Sequence, residues 1–187
     1  MNLSLFRCYS TQQDPAPDDF VERFKLAGIE LQANWPEGSF RSPSYLSLVL
    51  SIGLSRSAGL FVVEGPDGVL ARAGVFQGAV RKRSGVIGLY DAAPHAGAGY
   101  AAELIIEAAM EWATAHDLEE LFAPVDVNTW FEYRAMLSPK EGVFEPDPFS
   151  WEPLASPEHH RHFKDHGFVL EASFETVGLE IADTGDF

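Results

Sequence analysis

The chain has 187 residues, 13 basic and 28 acidic, giving a formal net charge of −15, with 46% apolar residues and one cysteine. That length predicts one domain burying roughly 70% of its unfolded surface, and the charge argues against nucleic acid or an anionic membrane as partner while permitting a cationic small molecule. Cys8 cannot pair internally, Tyr45–Leu54 is interrupted by Ser47, Ser51 and Gly53, and Met1–Ser10 holds no secretory core, so a soluble, cytoplasmic protein is expected.

In chain order, alternation from Leu3 to Tyr9 predicts a short first strand. Asp14 to Asp19 is a turn and helix start, and Phe20, Phe24 and Leu26/Ala27 supply a helical stripe that should stop at Gly28. Asn34 to Gly38 is loop. Ser42-Pro43 offers an N-cap and a proline at the first helical position for a second helix through Arg56. Leu60–Glu64 and Val69–Val80 form a hairpin across Gly65-Pro66-Asp67-Gly68. After a turn at Arg81–Gly85, Val86–Asp91 is the next strand. Ala92–Gly99 holds mostly small residues and opens a long helix over Tyr100–His116. Leu104, Ile105, Ala108 and Trp112 line its apolar face, and Glu103, Glu107 and Glu111 its acidic one. Leu118–Val125 is a strand, and a proline-rich insert runs over about 138–157. Ser156-Pro157-Glu158 starts a short helix that Gly167 closes, and Val169–Ile181 is the last strand region.

The order β-α-α-β-β-β-α-β-insert-α-β predicts a single α/β (α+β) domain over residues 1–187. Its central sheet should be mixed and mostly antiparallel, flanked by helices. The strands on either side of the long helix need a crossover and should be parallel.

Chemistry concentrates where Gly88-Leu89-Tyr90-Asp91 runs through Ala96-Gly97-Ala98-Gly99-Tyr100-Ala101 into the long helix. A helix N-terminus presents free N–H groups and partial positive charge, and glycine lets backbone approach a phosphate. Such a cradle works on an acidic protein. The glycine pair alone is equally compatible with a tight turn packed by small residues. The basic trio Arg81-Lys82-Arg83 lies at the opposite end of that strand, roughly 25 Å away at about 3.3 Å per residue, and reads as a solvated hairpin tip.

With this element order and loop, the sequence resembles the GNAT superfamily of acyl-CoA-dependent N-acyltransferases. The resemblance is strongest over Leu60–Leu121 and Phe163–Phe168. Gly99, Ala101 and Leu104 match the family loop, while Ala96 stands where Gln or Arg is usual. Asn128 is similar to the family's strand-end Asn, and Phe163-Lys164-Asp165-His166-Gly167-Phe168 resembles its Tyr-x-x-x-Gly-Phe pattern. The resemblance implies the acyl-CoA N-acyltransferase fold, with parallel strands splaying near Asp91 and Val125. It implies pantetheine pairing near Leu89 and Tyr90, pyrophosphate on Gly97, Ala98, Gly99, Tyr100 and Ala101, and Asn128 nearby. An amine would attack the thioester of acetyl-CoA or another acyl-CoA directly.

The usual acid Tyr is Phe163 here, which has no proton to give. Tyr90 and Tyr133 are replacements, against the alternative of packing residues with satisfied hydroxyls. Asp91 and Asp126 are candidate bases at neighbouring strand ends, or else loop caps; Glu119 and Glu120 lie at the wrong end. His159, His162 and His166 share one helix face, which suits a metal or a proton relay. No Cys or acidic motif accompanies them, so no metal is expected, and His162 remains a proton-shuttle candidate beside Phe163. The insert, with Phe144, Phe149 and Trp151, together with Trp130, Phe131 and Tyr133, is expected to shape an acceptor pocket or a homodimer contact, or simply to cover surface. The reading is an N-acetyltransferase acting on a small amine. The competing class is a non-catalytic acyl-CoA-binding or ligand-sensing module.

Overall fold

The computed structural model describes residues 4–10, 18–33, 41–78, 81–94, 98–131 and 157–172. Its elements are β1 (Ser4–Ser10), α1 (Asp18–Gln32), α2 (Pro43–Leu54), β2 (Ala58–Gly65), β3 (Gly68–Gln77), β4 (Ser84–Ala92), α3 (Ala98–Ala115), β5 (Glu120–Phe122) and α4 (Pro157–Asp165). The strands form one sheet in sequence order. β1 to β4 pair antiparallel, and β5 joins β4 in parallel after the α3 crossover, as the element order predicts.

Two apolar layers cover the sheet. On one face Phe24, Ala27 and Leu31 of α1 and Leu46, Val49 and Leu50 of α2 pack on Leu60, Val62, Phe76, Val86 and Leu89. On the other, Ala102, Ile105, Ile106 and Trp112 of α3 and Phe163 of α4 pack on Phe61, Val63, Val75, Ile87 and Tyr90. The period of two in β2 produces this split directly, since Leu60 and Val62 face one layer and Phe61 and Val63 the other.

The element ends show where local rules were overridden. Ser42 caps α2 as expected, its Oγ accepting the Tyr45 N–H at 3.1 Å, with Pro43 opening the helix. Gly167 has φ 85°, the left-handed residue expected after α4. Gly28, however, does not end α1, which continues to Gln32. A Cβ at Gly28 would lie 2.0 Å from Arg72 Cζ, so the glycine makes room for a side chain arriving from β3. β5 pairs over only three residues, and Val169–Ala172 is not strand; the rest of the expected last strand and the 138–156 insert lie outside the described residues. The basic trio is an exposed hairpin tip, with Arg81 and Arg83 paired to Glu120 and Glu119. Among the described residues no helix is long and apolar enough to cross a membrane.

Candidate active site at the β4–β5 strand ends

The site is organised by one extra residue in β4. Gly74 faces Gly88 and Arg72 faces Asp91, so two steps along β3 match three along β4. The bulge falls at Leu89, whose φ of 47° is left-handed. It inverts the facing of everything beyond it. Ile87 points to the α3 layer; by strict alternation Leu89 would follow, yet Leu89 packs in the α1–α2 layer and Tyr90 in the α3 layer. Tyr90 is thereby turned toward α4, and Asp91 toward α1 and α2.

Beyond β5 the chain stays against β4 for a short distance. Val125 N–H donates to Ile87 O at 2.8 Å, and Leu89 N–H donates to Asp126 Oδ1 at 2.5 Å. A Cβ on Gly88 would meet Val125 O at 2.2 Å and Asp126 Cα at 2.7 Å, so glycine is what permits this approach. Tight turns over Val125–Asn128 then carry the chain away, with Val127 at φ 67°.

Asp91 and Asp126 are brought together as the sequence predicts, but both are committed to cations. Arg41 bridges them, with Nη1 3.0 Å from Asp91 Oδ1 and Nε 3.3 Å from Asp126 Oδ2. Tyr45 Oη donates to Asp126 Oδ2 at 3.0 Å. Arg72, fully buried, sets Nε and Nη2 on Asp91 Oδ2 at 2.8 and 2.7 Å and donates Nη1–H to Phe24 O at 3.1 Å. Burial alone would raise the Asp91 pKa, but Arg41 and Arg72 outweigh it and hold the carboxyl below its ordinary range. A carboxylate so stabilised is a poor proton acceptor. Asp91 and Asp126, the candidate bases, thus sit in one cluster with Arg41 and Arg72, two arginines against two aspartates.

The other strand face carries a different chemistry. Tyr90 Oη lies 2.8 Å from His162 Nδ1, and the Tyr90 ring packs against His159 and Phe163 at 4.8 Å each. Burial, helped by the Asp91 charge, pushes the Tyr90 pKa up. Burial pulls His162 down, and pushes His159 down to about 4. Phe163 is a core residue, also packed on Phe168. His166 Nδ1 sits 2.7 Å from His162 O, and no three metal-ligating side chains cluster among the described residues.

His159 gives an acid-sensitive stability. The unfolded chain protonates it near 6.5, the folded chain only near 4, so the unfolded state binds more protons between these values and stability falls as pH drops through that window. The contribution is on the order of 3 kcal/mol at full extent. Urea unfolding of His159→Leu should lose about 2 kcal/mol less than wild type between pH 7 and pH 4.5; equal losses would refute the assignment.

Of the expected cofactor residues, Gly99 and Tyr100 are exposed in the first turn of α3, which holds no acidic side chain, and Ala101 is buried with only its backbone to offer. A Cβ on Gly99 meets nothing within 4 Å. The open, acid-free turn fits an anionic group. The Leu89 N–H, at one of the two positions expected near pantetheine, is given to Asp126 Oδ1. Asn128 Oδ1 accepts the Trp130 N–H at 2.9 Å and so stabilises its own turn. Gly97, the side chain of Ala98 and Tyr133 lie outside what is described. Arg41, Tyr45 and Arg72 were not foreseen; the one available signal was a lone arginine inside the apolar run Val69–Phe76.

No protein-family profile matches the chain, and no curated protein matches its sequence. Solved structures do match. A probable acetyltransferase superposes with TM-score 0.51 at 12% identity, over 98% of this chain and 99% of that one. A provisionally named acetyl transferase from Pyrococcus furiosus gives 0.53 at 11% identity over 95% and 100%. A transcriptional regulator from Bacillus halodurans C-125 gives 0.51 at 11% identity over 94% and 100%. The sheet order, the parallel β4–β5 pair and these likenesses define the acyl-CoA N-acyltransferase fold of the GNAT type.

Proposed function

We propose that this chain is a cytoplasmic acyl-CoA-dependent N-acyltransferase that transfers acetyl from acetyl-CoA to a small-molecule amine. The observation that carries the reading is the open first turn of α3 directly following a bulged β4 that parts from its parallel neighbour. Backbone N–H groups of Gly99, Tyr100 and Ala101, with Gly97 and Ala98 before them, would hold the pyrophosphate, and Tyr90 backbone the pantetheine. Bound acyl-CoA supplies an activated thioester carbonyl. The chain orients it and accepts the proton that the attacking amine must lose.

Asp91 and Asp126 serve this reaction by fixing the strand ends through Arg41 and Arg72. Their charges are balanced, so they supply no net anionic patch for a cationic acceptor, and the overall charge of −15 remains the argument for one.

Acetyl-CoA at about 100 times its Kd should stabilise the protein by about 2.7 kcal/mol, a melting shift of several degrees. Gly99→Trp should weaken binding about tenfold or more. Its Cβ enters open space, so the unliganded melting temperature should hold. No shift at millimolar acetyl-CoA or CoA would overturn the reading. The second reading, an acyl-CoA binder without turnover, is favoured by Phe163 in the acid Tyr position, and absent thiol release across amines despite binding would select it.

A further inference from the structure

We infer that Tyr90 and His162 form the proton exit of this site, carrying the proton lost by the attacking amine from the buried strand end to solvent. The inference rests on the acyltransferase reading and adds to it the route by which the nitrogen is deprotonated.

Four observations carry it. Both carboxylates at this end of the sheet already have partners, Asp91 with Arg41 and Arg72 and Asp126 with Arg41 and Tyr45. The bulge at Leu89 turns Tyr90 to the α4 face, where its hydroxyl, 2% exposed as a residue, meets His162 Nδ1 at 2.8 Å. His162 is only half-buried, so a chain of two groups runs from the core to water. Phe163, which offers no proton chemistry, packs the Tyr90 ring in place at 4.8 Å.

The step balances as follows. The amine nitrogen forms its bond to the thioester carbon, and the C–S bond breaks with its electron pair leaving on sulfur. The proton on nitrogen passes to Tyr90 Oη as the Tyr90 proton passes to His162 Nδ1. His162 then releases a proton from Nε2 to water, water protonates the thiolate, and the half-buried ring exchanges protons with solvent to regain its resting Nε2–H form. Both resting forms suit this: burial keeps Tyr90 protonated and His162 neutral at pH 7. Facing His162 are Tyr90 from β4 and Glu158, His159, Arg161, Asp165 and His166 from α4 itself. Glu158 and Asp165 oppose the downward shift and Arg161 and His166 add to it, with burial prevailing.

The direction of the hydrogen bond is the readout that does not depend on turnover. Nδ1 must accept from Tyr90, which requires the Nε2–H tautomer, visible in the ¹⁵N shifts of the His162 ring in the full-length protein. Its titration midpoint should lie below 6.5 and rise in Tyr90→Phe, because the phenol donor favours the neutral ring. In thiol-release assays Tyr90→Phe and His162→Gln should each lower kcat about 100-fold. The KM for acetyl-CoA and its melting shift should stay within about threefold of wild type, and the acidic limb of the wild-type pH–rate profile should disappear. An Nδ1–H tautomer overturns the relay whatever the rates. So does an active wild type whose two variants keep its kcat and pH profile. A wild type that binds acetyl-CoA but releases no thiol with any amine overturns the transferase reading instead, and the relay with it.

Discussion

Arg72→Ala should lower stability by about 3–5 kcal/mol, the loss typical when one member of a buried ion pair is removed. For a chain of this size that is a fall in melting temperature of about 10 °C. The arginine side chain has no exposed surface; it donates Nε–H to Asp91 Oδ2 and Nη1–H to Phe24 O, holds Nη2 2.7 Å from Asp91 Oδ2 as an ion pair without a hydrogen bond, and sets its guanidinium 5.1 Å from the centre of the Phe24 ring. Alanine strands the buried Asp91 carboxylate without its closest cation and removes the bond to the Phe24 carbonyl. Lysine should not rescue it, because one ammonium cannot satisfy the same acceptors. Gly28→Ala is an independent arm. Alanine is the better helix former by about 1 kcal/mol, yet its Cβ would fall 2.0 Å from Arg72 Cζ, so it should destabilise. Urea unfolding measures both; a loss below 1 kcal/mol for Arg72→Ala, or a gain for Gly28→Ala, would show that the cluster does not hold these layers together.

Gly88→Val should be as severe, on the order of 3 kcal/mol or more, because its obstacle is backbone. Val125 O and Asp126 Cα stand 2.2 and 2.7 Å from the added Cβ and cannot rotate aside. The segment after β5 must peel from β4, breaking Val125 N–H to Ile87 O and Leu89 N–H to Asp126 Oδ1. Asp126 would then release Arg41 and Tyr45. Amide exchange at Leu89 reports this directly: protection should fall about 100-fold or more, the equivalent of about 3 kcal/mol. Unchanged protection at Leu89 in a folded variant would disprove the wedge.

The outline of the fold was readable because its signals are local. Pro66-Asp67-Gly68 marks a turn, Ser42-Pro43 a helix start, and a long amphipathic helix between two apolar strands demands a parallel crossover. The errors arose where a distant residue decides. Gly28 reads as a stop because nothing nearby explains it, and its reason is Arg72. The bulge at Leu89 is silent because Val86–Asp91 is buried on both faces, so there is no polar alternation for an extra residue to interrupt. Asp91 falls on β4 as expected, whereas Asp126 lies in the turns beyond β5, which ends at Phe122. Their cation partner was not legible because Arg41 lies 50 residues from Asp91 in sequence and reaches it only through the packing of α1 and α2. Tyr90 and His162 were each singled out, and only the docking of α4 on the sheet makes them a pair.

Arg41 also has a backbone attachment: its N–H donates to the Gln32 side chain at the end of α1, 2.9 Å away. Arg41 is thus tied at its backbone to the end of α1 and at its guanidinium to Asp91 and Asp126, so a change at Gln32 reaches the strand ends without touching either aspartate.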